Sequence, residues 1–196
     1  MVILEISDGW CAATLAGRLL AELGAEVVKL EPPAGDSLRR RGPFDPEGAS
    51  YSFLLTAAQK GSIILEPDDQ KETLEALAHQ SDVFLVDGEE WWRLQAQGVT
   101  QERLLEVNPR LVLCVVSPFG LSGPLSQWAG SELVLQAMGG IMATTGFPGD
   151  PPVRSGVPIV TGMTAFYAVT AVQAALYERR RSGLGQVVDV AGYDAA

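Results

Sequence analysis

The chain holds 196 residues, enough for one well-packed domain and too few for two ordinary ones. With 47% apolar and 19% charged residues it has a globular balance that excludes disorder, and its 12 prolines and 21 glycines are spread along it rather than clustered. A formal net charge of -10 argues against a general nucleic-acid or anionic-membrane surface, because such partners would be repelled at long range; only a local basic pocket escapes that argument.

In chain order, VILEIS at 2–7 reads as a short buried strand, and residues 14–23 place apolar side chains at helical spacing ahead of Gly24, a C-cap. EVVKLE at 26–31 is a second strand, so a β-α-β unit and a parallel sheet are expected. A polar stretch with glycine and proline then runs to about residue 50, too irregular for an element and long enough to carry function. SIILE at 62–66 is another strand. The segment 68–80 is an amphipathic helix opened by an N-cap-like Asp68, and DVFLVD at 82–87 follows as a strand.

A helix at about 100–107 precedes RLVLCVVS at 110–117, whose continuous apolar run suits a strand buried on both faces. Helices are expected over 132–143 and 158–181, with the functional-looking loop TTGFPGDPPVRSGVP between them. VVDVA at 187–191 is a late strand, and a further helix is expected to start at Tyr193, which suggests a dissected or truncated protein. This alternation predicts an α/β fold: a Rossmann-like, doubly wound, mainly parallel sheet with helices on both faces.

Only Cys11 and Cys114 are present, far apart and in apolar surroundings. Two such thiols without a C-x-x-C or Cys/His cluster fit buried structural roles in a reducing compartment, and no metal site is expected. The start lacks a basic segment followed by a long apolar run, and no apolar stretch reaches roughly 18 residues, so neither a signal peptide nor a membrane span is expected and the cytoplasm is the expected location.

Four stretches, LLAELGAEVVKLEPPAGDSLR at 19–39, NPRLVLCVVSPFGLSGP at 108–124, ELVLQAMGG at 132–140 with TTGFPGDPPVRSGVP at 144–158, and GLGQVVDVAGYDAA at 183–196, together resemble the family III (CaiB/BaiF) CoA-transferases. That group includes formyl-CoA and carnitine CoA-transferases. The resemblance implies that residues 1–196 are the Rossmann-like part of the family's large domain, with the small domain and the C-terminal return absent. Family members are longer and form interlocked dimers, so a homodimer or a fused second half is the implied partner, with acyl-CoA and a small carboxylic acid as substrates. The implied reaction moves CoA between carboxylic acids: an aspartate carboxylate attacks the thioester to give a mixed anhydride, and the CoA thiolate returns to make an enzyme thioester.

The resemblance also implies site residues. The nucleophile belongs a few residues after Ser155-Gly156-Val157-Pro158, and the count places Thr161 there. A threonine cannot form an acid anhydride, no base is evident beside it, and the only histidine, His79, lies in a distant helix. Thr161 is therefore read either as a surviving nucleophile or as a structural residue at a helix N-terminus. Glu132 takes the place of an acidic residue near the family's active site, or is a helix-N-terminal carboxylate favoured by the macrodipole. Arg39, in GDSLR at 35–39, and Leu65 are implied coenzyme A contacts, with a solvated loop charge as the other reading of Arg39.

Other positions depart from the family pattern. Its N-terminal A-G-P turn is replaced around Cys11-Ala12-Ala13-Thr14, and its asparagine-aromatic-arginine-proline-glycine motif by Gly88-Glu89-Glu90-Trp91-Trp92. The two glutamates would repel an anionic nucleotide, while the tryptophans either pack or stack on an adenine. Asp150 is read as a turn residue and Arg179, Arg180 and Arg181 as a helix C-terminus. Three readings result: an active CoA-transferase part, a non-catalytic half kept for assembly, and a dinucleotide oxidoreductase. The last lacks a G-x-G-x-x-G after the first strand.

Overall fold

The computed structural model describes residues 1–66 and 70–196. Six strands form one sheet: β1 (Val2–Ile6), β2 (Glu26–Glu31), β3 (Lys60–Ile64), β4 (Val83–Asp87), β5 (Val112–Ser117) and β6 (Val187–Ala191). Their order is β3-β2-β1-β4-β5-β6 and every pairing is parallel. The connecting helices are α1 (Ala12–Glu22), α2 (Tyr51–Ala57), α3 (Gln70–Gln80), α4 (Gly88–Ala96), α5 (Gln101–Val107), α6 (Glu132–Met138) and α7 (Ile159–Ser182). The expected doubly wound α/β architecture is what the chain adopts.

Alternating strand residues divide the core into two layers. Ile3, Val27, Leu85, Cys114 and Val190 pack beneath α1 and α7, through Ala16, Leu20, Ala168 and Val172. Leu4, Phe84, Val86, Leu113 and Val115 pack on the opposite face against Leu74 of α3, Trp91 and Leu94 of α4, and Leu104 of α5. The central strands are buried on both faces, which is why β4 and β5 read as unbroken apolar runs. Each fully buried Leu, Ile, Val or Phe contributes about 1.5–3 kcal/mol relative to leaving it in water.

Several boundaries differ from expectation. Two short helices, α2 and α4, were not foreseen; α4 is capped by Asp87, whose side chain accepts from Glu90 N at 3.0 Å. The helix expected over 132–143 stops at Met138, because Gly139 caps it and Gly140 takes a left-handed φ of 83° before a 3-10 turn at Ile141–Thr144. Strand β3 begins earlier than 62–66, and Tyr193 opens a turn rather than a helix, with Ala195 N donating to Gly192 O. Asp68 lies outside the described residues. α7 is long and apolar enough by composition to cross a membrane, contrary to expectation, and here it buries one face on the sheet.

Arg179 ties the end of α7 to the lower rim of the sheet. It donates to Arg110 O at 2.8 Å and pairs with Asp82 at 2.8 Å, while Gly183, at a left-handed φ of 77°, ends the helix. The structural reading of that arginine thus agrees with its contacts.

Candidate functional site

Strands β1 and β4 lie side by side at the centre of the sheet, and the chain leaves them in opposite directions. In a doubly wound sheet a crevice opens at that point beyond the carboxyl ends of the strands. Here a cleft of about 460 Å³ occupies it. It is lined by Asp8, Trp10 and Cys11 after β1, by Asp87 to Glu90 at the end of β4, and by Ser117 and Pro118 at the end of β5. Glu132 and Leu135 of α6 with its N-cap Ser131, and Thr161 and Thr164 of α7 with its N-cap Pro158, close its far wall.

Two glycines make these approaches close. A side chain on Gly88 would collide with Cβ of Ser117, and one on Gly130 would collide with the ring of Pro118. The ends of β4 and β5 therefore meet with no room for a Cβ.

Thr161 and Glu132 come together in this cleft. Glu132 is the first residue of α6 and Thr161 lies in the first turn of α7, whose N-cap, Pro158, offers no side-chain acceptor. Glu132 supplies what the proline lacks. Its Oε1 accepts from Val160 N at 2.9 Å and from Gln136 Nε2 at 2.7 Å; its Oε2 accepts from Thr161 N at 2.8 Å and from Thr161 Oγ1 at 2.6 Å. Burial works to raise the pKa of this carboxyl, but these hydrogen bonds outweigh it and hold the pKa below the usual value. The sequence shows no ionisable partner beside Thr161; the fold places a carboxylate 2.6 Å away, 29 residues distant along the chain. His79, at the end of α3, is not among the lining residues.

The implied coenzyme A contacts lie elsewhere. Arg39 donates Nε and Nη2 to the two oxygens of Glu31, each at 2.7 Å, and its guanidinium lies 3.9 Å over the ring of Phe53. The hydrogen bonds from Arg39, helped by Ser62 Oγ and Asp36 N, pull the Glu31 carboxyl down to about 2 against the desolvation of its site. Leu65 lines a second, smaller cavity of about 220 Å³ with Glu31, Gln70 and Arg93. Asp8 and Glu90 border both cavities, so the two adjoin. Arg39 lines neither.

The remaining candidates take structural places. Trp91 is buried in the core below α4 and Trp92 packs against that core, so the packing reading holds for both. Asp150 sits in a turn closed by its N–H donating to Phe147 O at 3.1 Å. Both cysteines are free; burial pushes both thiols up to about 12, too high for a useful thiolate although Cys11 lines the cleft. Among the described residues no group of three or more His, Cys, Asp or Glu side chains is placed to hold a metal ion.

Asp87 is a functional-looking residue that the sequence analysis passed over. It ends β4, caps α4 and accepts from Asp8 N at 3.2 Å, so it bridges the two central strands at the mouth of the cleft. Desolvation, with Glu90 and Glu89 close by, pushes its carboxyl up to about 6. The signal available in the sequence was an Asp directly ahead of Gly88-Glu89-Glu90, an N-cap followed by an acidic first turn.

Comparison with known proteins gives the same picture throughout. The profile of CoA-transferase family III matches residues 1–196. The succinyl-CoA–D-citramalate CoA-transferase of Chloroflexus aurantiacus is 37% identical over 196 residues, covering 98% of this chain and 48% of that protein. The formyl-CoA:oxalate CoA-transferase of Streptomyces avermitilis is 40% identical over 178 residues, covering 90% of this chain and 43% of that protein. A CaiB/BaiF family protein from Brucella suis superposes with a TM-score of 0.92 at 34% identity, over 100% of this chain and 53% of that one. The chain thus spans about half the length of the relatives it matches.

Proposed function

The chain belongs to CoA-transferase family III, and from that premise we propose that it is the front half of a CoA-transferase whose own cleft does not perform the covalent step. In this reading it serves assembly, holding a competent copy of the fold as one half of a fused or dimeric enzyme. The relatives are named for moving CoA between acyl groups, and the whole enzyme's substrates are taken to be an acyl-CoA and a small carboxylic acid. Two free thiols, Cys114 buried and Cys11 partly buried, suit a reducing compartment such as the cytoplasm.

The observation that carries this reading is the hydrogen bond from Thr161 Oγ1 to Glu132 Oε2 at 2.6 Å. Attack by Thr161 would give an ester, which holds its acyl group far more firmly than the mixed anhydride formed by an aspartate. Activation of the hydroxyl would also have to come from Glu132. That carboxylate already accepts three other hydrogen bonds at the positive end of α7, and its lowered pKa makes it a poor base. The pair is a helix cap in which the threonine hydroxyl satisfies the carboxylate.

The charge of the cleft points the same way. Asp8, Asp87, Glu89, Glu90 and Glu132 line it, with no lysine or arginine among the lining residues. CoA phosphates and a carboxylate substrate would meet repulsion there. Arg39, at the position implied to bind phosphate, is held bidentately by Glu31 through Nε and Nη2, so a phosphate would have to share a guanidinium that a carboxylate already neutralises.

Acyl-CoA labelled in its acyl group tests the reading. After incubation and removal of free ligand, the chain should retain no label that hydroxylamine releases, and a CoA titration should show no saturable binding. Covalent label that is lost in Thr161→Ala would establish an acyl-threonine enzyme and overturn it.

A further inference from the structure

We propose that the mouth of the cleft is a proton-operated gate: the loop Asp8–Trp10 closes against the end of β4 when Asp87 carries a proton and lifts away when Asp87 is ionised. The inference concerns access to the cleft, goes beyond the assembly reading above and does not rest on it.

The loop is the movable wall. Facing it, Gly88 is pressed onto Cβ of Ser117, so the start of α4 has no room to shift toward β5. The loop turns at Gly9, at a left-handed φ of 70°, and Asp8 is exposed. Four hydrogen bonds hold it: Asp8 N donates to Asp87 Oδ2 at 3.2 Å, Ser37 N to Asp8 Oδ1 at 2.7 Å, Gly9 N to Asp36 Oδ1 at 3.4 Å and Thr14 Oγ1 to Gly9 O at 3.0 Å. The two donated by the loop's own N–H groups are the longest, so its hold on Asp87 is weak.

Two features push the loop open. Trp10 Nε1 is enclosed yet finds no acceptor among the described residues, and lifting the loop brings that N–H to water. The second is charge. Asp87 has around it Asp8 of the loop, Glu89 and Glu90 of α4 and, on the far wall, Glu132 of α6; Cys11 at the start of α1 is a neutral thiol, and the lining residues of β5 and α7 carry no charge. The cations of the surrounding elements are already paired: Arg93 with Glu90, Lys29 and Lys60 with Glu5, Lys29 also with Asp36, and Arg39 with Glu31. Among the described residues no cation pairs with Asp87.

Linkage fixes the sign. Closing the loop takes Asp87 out of water among like charges, and its carboxyl is pushed up to about 6, chiefly by desolvation, against the bonds from Glu90 N and Asp8 N. Each carboxyl oxygen has a second lone pair, so a proton adds without displacing either N–H. With the loop lifted the carboxyl returns toward its ordinary 3.8, and acid favours the conformer that binds the proton more tightly. That difference lets the proton change the ratio of closed to open by at most about a hundredfold.

Fluorine NMR of the 196-residue chain grown with fluorotryptophan tests the gate, the Trp10 signal being identified among the four tryptophans by Trp10→Phe. That signal should move between pH 5 and pH 7.5 with a midpoint at about 6, while the signal of buried Trp91 stays still. With the intrinsic effect of pH on exchange removed, the amides of Asp8 and Gly9 should lose about tenfold or more of their hydrogen-exchange protection over the same range. Asp87→Asn keeps an N-cap side chain and cannot titrate, so its Trp10 signal should stay at the acid position throughout, with unchanged circular dichroism certifying the fold. Three results overturn the proposal: no change in the wild type over that range, loosening on the acid side instead, or the same transition in Asp87→Asn. The wild-type measurement decides alone if the variant does not fold. No CoA or acyl label enters these readouts, so their failure is distinct from failure of the covalent-labelling test.

Discussion

Gly17 of α1 lies directly over Glu5 of β1, so close that a side chain at position 17 would collide with the carboxylate oxygen Oε2. The approach is fixed because Glu5, fully buried, is held from both sides: Lys29 Nζ at 3.1 Å from Oε1 and Lys60 Nζ at 2.7 Å from Oε2. Gly17→Ala should therefore destabilise the fold by about 2–4 kcal/mol, where an exposed helical glycine would gain from the same change. Urea unfolding with an unchanged slope and a lower midpoint is the expected result; a neutral or stabilising effect would show that Glu5 can give way.

The same cluster ties the loop after β1 to the neighbouring strands. Lys29 also reaches Ser7 O at 2.7 Å and Asp36 Oδ2 at 2.9 Å, and Lys60 reaches Thr14 O at 2.8 Å. Lys60→Met would leave Glu5 with one cation and an uncompensated oxygen in an apolar layer, at a cost of about 3–5 kcal/mol. Replacing both members, Glu5→Leu with Lys60→Met, should cost distinctly less than the sum of the single changes. Additive losses in that double-mutant cycle would mean the two side chains act independently.

Removing the cap on α7 has a graded outcome. Glu132→Ala frees the N–H groups of Val160 and Thr161 and should cost about 2 kcal/mol, with Thr161→Ala alone costing about 1. The Glu132 pKa is lowered in the fold, so the carboxylate's contribution is present above the unfolded value and is lost as pH falls through the folded one. Glu132→Gln should accordingly remove part of the acid-side loss of stability seen in the wild type. Parallel curves for the two proteins would assign that loss to other carboxylates.

Much of this fold was legible because parallel strands buried on both faces announce themselves as apolar runs, as at 112–117, and because Gly24 and Gly183 mark helix ends. What escaped was short or shared. α2 has seven residues after an irregular stretch, too few for a period to show. α4 was weighed as a replaced motif, which hid the capping pattern of Asp87 and Glu90. At the site, counting could place Thr161 but not its partner. The bond to Glu132 exists because two helix N-termini meet in space, a tertiary fact without local signal. The Arg39–Glu31 pair depends likewise on the turn at Pro32 to Gly35 bringing the chain back.

Restoring an acid at the implied nucleophile position gives a sharper test than deleting the threonine. Thr161→Asp would set a second carboxylate beside Glu132, and two like charges that close raise the pKa of one. The variant should be less stable than wild type at pH 7 by about 1–3 kcal/mol and should recover on acidification toward pH 5 as the pair takes up a proton. A uniform deficit across that range would mean the new side chain turns away from Glu132. If the cleft still excludes CoA, the variant should also remain unlabelled by acyl-CoA.

Asp87 sets a pH dependence of opposite sign to that of Glu132. Its carboxyl is raised from 3.8 to about 6, chiefly by desolvation, with Glu90 and Glu89 of α4 adding repulsion against the bonds from Glu90 N and Asp8 N. The folded state therefore holds this proton more tightly than the unfolded chain does. Its contribution is fully present below the unfolded value and is lost as pH rises through about 6. Two units of difference correspond to about 2–3 kcal/mol, so wild-type stability should carry a falling component between pH 4 and 6. Asp87→Asn cannot titrate and should lack that component whatever its absolute stability. Denaturant midpoints at intervals from pH 4 to 7 separate the cases: equal slopes in the two proteins would place the proton elsewhere, whereas a flatter variant curve identifies the bridge between β1 and β4 as the titrating group.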